Sequence, residues 1–193
     1  AFLQVPNLCF ADDVARAFTF APRFARVAAE LLQVDGVRLY HDQALFKEAG
    51  GGNTPWHQDQ VYWPLDNDNC VTMWMPLVDV PSAVGSMTFV DGSHLHGDLG
   101  QGIIGDASEA GFDALVRDQA LPTSTHGAMR AGDATFHMGW TLHRADANPT
   151  DLLLIGSRHH WMEGSLARLL IYKLPIDIQI CHEPYSEQLK AVG

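Results

Sequence analysis

The sequence of 193 residues is short of positive charge, of cysteine and of long apolar runs, and each shortage removes a class of function. Twelve lysines and arginines stand against 23 aspartates and glutamates, a formal charge of −11. A surface that acidic repels phosphate backbones and anionic headgroups, which argues against nucleic acid and membrane as partners and leaves small molecules. The three cysteines, Cys9, Cys70 and Cys181, are odd in number, far apart and without a CxxC pair. They read as small apolar residues in a reducing, cytoplasmic setting, not as a disulfide framework or a zinc site. No apolar stretch approaches the ~20 residues that cross a bilayer. The start lacks a charged segment followed by an apolar one, so no export signal is expected. No repeat, low-complexity tract or linker divides the chain, and residues 1–193 are expected to form one domain.

What the chain has is apolar material for a core, 47% of its residues, and ten histidines. From Pro22 the segment PRFARVAAELLQ predicts a helix: Phe24, Val27, Ala28 and Leu31 share one face, and Gly36 marks its end. VRLYHDQALF (37–46) alternates as a strand does, with Lys47 as its solvated end. The glycines and proline of residues 48–55 predict a loop. CVTMWMPLVDV (70–80) predicts a strand that Pro76 confines to an edge or a bulge. SMTFVDGS (86–93) predicts a strand closing on an Asp-Gly turn. Residues 94–111 read as a long surface loop, followed by one short helix in FDALVRDQA. GDATFH, TLHRA and DLLLIGSRHHW predict three more strands. One N-terminal helix followed by many short strands is the pattern of a mainly β jelly roll, a cupin-like double-stranded β-helix, with helical packing on one side.

The densest chemical signal is Trp56-His57-Gln58-Asp59. On a strand, residues i and i+2 share a face, so the His57 imidazole and the Asp59 carboxylate converge. A ferrous site of the two-histidine, one-carboxylate type needs a further imidazole from a remote strand and keeps positions open for ligands. His137 and His143, both in GDATFHMGWTLH, are the candidates. Taken alone, an HxD tripeptide in a histidine-rich chain is a weak motif.

The surroundings strengthen it. YHDQALFKEAGGGNTPWHQDQVYWPL, VTMWMPLVDV, the GS-x-x-FVDGSH stretch and GDATFHMGWTLHRADAN follow one another over residues 37–148 and resemble, in order, the blocks of the phytanoyl-CoA dioxygenase family of Fe(II)/2-oxoglutarate oxygenases. The resemblance implies a hydroxylase that uses Fe(II), 2-oxoglutarate and O2, with iron on His57, Asp59 and His143 and with His137 as a non-ligand. It also implies that Gln58 and Trp74 line the co-substrate pocket. Because Asp59 is present where related halogenases carry a small residue, it implies hydroxylation over halogenation.

The distal carboxylate of 2-oxoglutarate calls for a cation, and the planar fork of arginine matches a carboxylate. The family's arginine would fall near Leu154. Arg158, four residues on, keeps strand parity with that position and is the expected co-substrate residue, with Arg144 second. Gln43 is expected to point inward as a polar pocket residue. Tyr62, Trp63 and Trp56 are expected either to wall the substrate pocket or to pack the mouth of the barrel. Ser93 and His94 are expected to shape a turn, and His159, His160 and His182 to be surface or satisfied core residues. From residue 152 onward the resemblance fades. Two rival readings accompany it: a 2-oxoglutarate-independent isomerase or lyase on the same fold, favoured by Leu154, and a non-catalytic metal- or ligand-binding relative.

Overall fold

The computed structural model describes residues 3–65, 67–100 and 102–164. Its frame is two antiparallel sheets. The larger has the order β1-β2-β9-β4-β7, from strands β1 (Leu3–Pro6), β2 (Val37–Lys47), β4 (Cys70–Pro76), β7 (Thr135–Met138) and β9 (Leu154–Glu163). The smaller has the order β3-β8-β5-β6, from β3 (Thr54–His57), β5 (Met87–Val90), β6 (Thr123–Thr125) and β8 (His143–Ala145). Neighbours that are remote in sequence, such as β2 and β9, are the mark of a double-stranded β-helix, and the fold expected from the sequence is the fold observed.

Helices cover the outer face of the larger sheet. Helix α1 (Asp13–Thr19) is capped by Asp12, whose side chain accepts from Ala15 N, and α2 (Pro22–Leu32) opens on proline. The end of α2 comes before Gly36, at Gln33, which takes the left-handed conformation itself (φ 57°). Phe24, Ala28 and Leu32 of α2 pack on Leu39, Val71, Met73, Met75 and Trp161 of the sheet. The odd-numbered residues of β4 and β9 thus meet the helices. Their even-numbered residues, among them Thr72, Trp74, Arg158 and His160, face the space between the sheets, because strand side chains alternate.

Two expectations are corrected. β4 is no edge strand: it lies between β9 and β7 with all seven residues buried, and Pro76 is merely its last residue. Residues 94–111 are not a continuous loop, since helix α3 runs from Asp106 to Asp118 and absorbs the short helix expected after it. Ser108 ties its start by accepting from Gly105 N and donating to Gly105 O. Cys9 and Cys70 are buried and form no disulfide among the described residues, and burial pushes Cys70 up to about 12, which suits an unreactive core residue. No helix among the described residues is long and apolar enough to cross a membrane.

Candidate metal centre

β3 ends on His57; Gln58 stays extended (φ −117°, ψ 125°), and Asp59 opens a short 3-10 turn over 59–62. The strand parity of His57 and Asp59 therefore survives although the tripeptide leaves the sheet. Gln60 N donates to Gly139 O at 2.9 Å and pins that turn to the segment leading into β8. β8 opens with His143, the register partner of His57, and the two rings lie 4.1 Å apart.

The hydrogen bonds set the tautomers. Nδ1 of His57 meets Pro55 O at 2.8 Å, and Nδ1 of His143 meets Thr141 O at 2.9 Å. A carbonyl only accepts, so each Nδ1 carries the proton and each Nε2 keeps a lone pair. Those Nε2 atoms stand 3.5 and 4.0 Å from Asp59 Oδ1. One ligand atom from each of the three residues lies within 4.8 Å of the others. His143 Nε2 is buried and has no hydrogen-bond partner among the described residues. An orphaned basic nitrogen beside a buried carboxylate is costly unless a cation completes it, so the donor set fits a divalent metal.

The other carboxylate oxygen is fixed from the opposite sheet. Thr72 Oγ1 donates to Asp59 Oδ2 at 3.0 Å and lies 2.8 Å from His160 Nδ1, which must then be the donor to that hydroxyl. His137 Nε2 is 3.3 Å from the same Oδ2. It meets the carboxylate at the other oxygen from the two candidate ligands, with its ring 4.4 Å from that of His143. Burial by itself raises Asp59, but the Arg158 guanidinium and then the surrounding histidines outweigh it and hold the carboxyl well below its usual range. Burial, then the neighbouring His57 and His137 rings, push His143 well below the ordinary histidine value, so it stays neutral and able to ligate.

Two cavities meet at this point. The larger, about 590 Å³, is bordered by His41, Gln43, Asp59, Trp63, Arg158 and His160, with Tyr62 and Ile104 toward its mouth, where Tyr62 Oη accepts from Ile104 N at 2.7 Å. The smaller, about 50 Å³, runs from His57, His143 and Arg158 past Trp74 to Lys47, Gly85 and Leu154. Arg158 borders both, with Nη1 3.6 Å from Asp59 Oδ1.

Other expected residues fall out differently. Gln58 does not line either cavity: its amide nitrogen donates to Gly97 O and Trp140 O, and its oxygen accepts from Leu99 N, so it anchors the 97–99 loop. Trp56 packs with Val90, Phe112 and Leu142 and donates its indole N–H to Asp113 at 2.7 Å, which makes it core and not pocket. Arg144 lies over the Trp56 ring and within 3.6 Å of Asp113. Ser93 shapes its turn as expected, donating to Val90 O and accepting from Leu142 N. His159 is a core residue against Phe18, Phe24 and Ser157, whereas His160 joins the site. Lys47 is not solvated but only 6% exposed. His182 and Cys181 lie outside the described residues. Thr72, His41 and His160 were missed; their even or odd placement on β4, β2 and β9 was the available signal.

The family model for phytanoyl-CoA dioxygenase matches residues 5–153. The chain belongs to that family. Phytanoyl-CoA dioxygenase 1 of Oryza sativa subsp. japonica is 25% identical over 138 residues, which are 71% of this chain and 48% of that protein. Among solved structures, the epimerase SnoN from nogalamycin biosynthesis, in complex with Fe3+, alpha ketoglutarate and nogalamycin RO, is 33% identical with a TM-score of 0.71, covering 84% of this chain and 63% of its own. The alpha ketoglutarate dependent carbocyclase SnoK from the same biosynthesis is 27% identical with a TM-score of 0.70, covering 83% and 62%. The chain spans 21–48% of the curated relatives it matches. The family match stops one residue before Leu154.

Proposed function

We propose that this chain is a non-haem Fe(II)/2-oxoglutarate-dependent oxygenase that hydroxylates a small organic substrate, with iron on His57, Asp59 and His143. The observation that carries the reading is the convergence of two proton-free Nε2 atoms and one carboxylate oxygen where two cavities meet. Family membership and the metal- and alpha-ketoglutarate-bound relative support it. Bound there, Fe(II) and 2-oxoglutarate supply an O2-dependent oxidation in which the co-substrate becomes succinate and CO2 while one oxygen atom enters a C–H bond of the substrate.

The chain's own residues do the rest. Pro55 O and Thr141 O orient the imidazoles, and Thr72 with His137 holds the second oxygen of Asp59 so that one oxygen is offered. The narrow cavity, with Trp74 as its wall and Arg158 at the metal end, takes the co-substrate. The wide cavity takes the organic substrate. There Trp63 offers an apolar face, while His41 Nε2, Gln43 Oε1 and Arg158 Nε are buried without hydrogen-bond partners among the described residues. A substrate with hydrogen-bonding groups beside an apolar body suits such a lining. We place the protein in the cytoplasm as a single oxygenase domain, in keeping with buried cysteines that form no disulfide among the described residues.

The test is anaerobic titration of the Fe(II)-loaded protein with 2-oxoglutarate, which on chelation produces a metal-to-ligand charge-transfer band. Metal uptake without that band at millimolar 2-oxoglutarate would remove the oxygenase reading. The isomerase or lyase alternative, which Leu154 favours, would then stand.

A further inference from the structure

The narrow cavity has a cation at its far end that the sequence disguises. Lys47 ends β2 opposite Leu154, its register partner on β9, and both border the cavity. Arg158 pairs with Gln43 and Trp74, four residues away along the same strands, so about 13 Å of strand separates the two levels. The Lys47 ammonium is buried, and its one hydrogen bond among the described residues goes to the backbone carbonyl of Asp146, whose carboxylate acts on it through space and is outweighed by burial. Gly85, in the left-handed region at φ +59°, keeps space for that head: a Cβ there would sit 3.2 Å from Lys47 Nζ and 3.1 Å from Asp146 O.

The other two cations bordering the cavity each have a carboxylate within 4.0 Å. Arg158 faces Asp59 at 3.6 Å, and Arg144 has Asp113, Glu109 and Asp146 within 3.6 to 4.0 Å. A buried ammonium with no carboxylate in hydrogen-bond contact among the described residues is expensive, and an incoming carboxylate would relieve it. The space also fits. A buried water needs roughly 10–15 Å³ on this scale, so about 50 Å³ admits roughly three to five such groups, the size of a short carboxylate-ended arm.

We propose that Lys47 binds the distal carboxylate of the 2-oxo dicarboxylic acid, taking the part that Leu154 cannot play, while Arg158 stays at the metal end. This rests on the oxygenase reading above. It makes the co-substrate site selective for a dicarboxylate through a point charge on β2 rather than a guanidinium fork on β9.

The experiment compares 2-oxoglutarate with 2-oxopentanoate, which chelates through the same 2-oxo acid end but lacks the distal carboxylate. Both are titrated anaerobically into Fe(II)-loaded protein and followed by the charge-transfer band. Wild type should prefer 2-oxoglutarate. Lys47→Met should weaken 2-oxoglutarate by about tenfold or more and leave 2-oxopentanoate within about twofold, so the preference collapses. Lys47→Arg should retain part of it. If Lys47→Met binds neither acid, the pair Lys47→Met/Leu154→Arg decides: recovery of 2-oxoglutarate binding supports the assignment, and no recovery overturns it. A Lys47→Met protein that keeps the wild-type preference overturns it too, most directly if Arg158→Leu loses that preference. Both of those results leave the oxygenase reading intact. Wild type that takes up iron but shows no band with either acid overturns the oxygenase reading and the Lys47 assignment together.

Discussion

Thr72 on β4 reaches across the interior to donate its hydroxyl to Asp59 Oδ2 at 3.0 Å. The larger sheet thereby orients a carboxylate that the turn after β3 of the smaller sheet delivers. Thr72→Val keeps the side-chain shape but strips Asp59 of that donor and leaves the His160 Nδ1 proton without its acceptor. Metal affinity should fall by about 10–100-fold, the usual cost of losing a partner that orients a ligand. Isothermal titration with Mn(II) measures it, and an unchanged affinity would show that the hydroxyl does not orient the carboxylate.

The candidate ligands separate from their neighbour by substitution. His57→Ala, Asp59→Ala and His143→Ala should each lose stoichiometric Mn(II) binding with far-ultraviolet circular dichroism unchanged. His137→Ala should keep the metal, since its Nε2 addresses the outer carboxylate oxygen. Loss of metal in His137→Ala together with retention in His143→Ala would reverse the assignment.

Acid should destabilise the metal-free protein through its buried histidines. Burial, with His41 nearby, pushes His159 down to about 3, against 6.5 when the chain is unfolded. Between those values the unfolded chain binds a proton that the folded one refuses, so stability is fully present above pH 6.5 and declines as pH falls toward 3. For this one residue the slope is about 1.4 kcal/mol per pH unit. Urea unfolding of wild type and His159→Leu at pH 4.5 to 5.5 checks it: the variant's stability should depend on pH less steeply by about that amount. Parallel curves would mean that His159 titrates normally.

Gly139 has no space for a side chain. A Cβ there would lie 2.2 Å from Gln60 Oε1 and 2.8 Å from the Trp63 ring. Gly139→Ala should cost about 1–3 kcal/mol by overpacking. It should also loosen metal binding, because Gly139 O holds the turn that carries Asp59. Thermal unfolding and Mn(II) titration of the same variant give both numbers, and a melting temperature equal to wild type would refute the crowding.

The sequence made the centre legible because its key groups are local: His57 and Asp59 are two residues apart, and His143 follows Gly139-Trp140 at a short interval. Strand parity then placed Arg158 and Leu154 on one face, as found. Lys47 was misread because nothing local covers it; Asp146 and Leu154 come from about a hundred residues further on. His160 looked unremarkable for the same reason, since Thr72 and Asp59 reach it only through the sheet. Helix α3 was hidden by the glycines around it, Gly105 and Gly111, which suggest loop until Ser108 is seen tying the first turn.

Strand β9 has two unlike faces, one bearing Arg158 and His160 toward the cavities and the other bearing His159 and Trp161 into the core beneath α2. This makes its length unforgiving to insertion and deletion. Loss of one residue inside Leu154–Glu163 would turn the guanidinium into the Phe18–Phe24 cluster and an aromatic core residue into the cavity. Loss of two would restore the faces but slide Leu154 past Lys47. A change of length near the site is therefore expected to be tolerated best in the 146–153 loop, where parity is not counted, and the family match ends at the boundary between those two regimes.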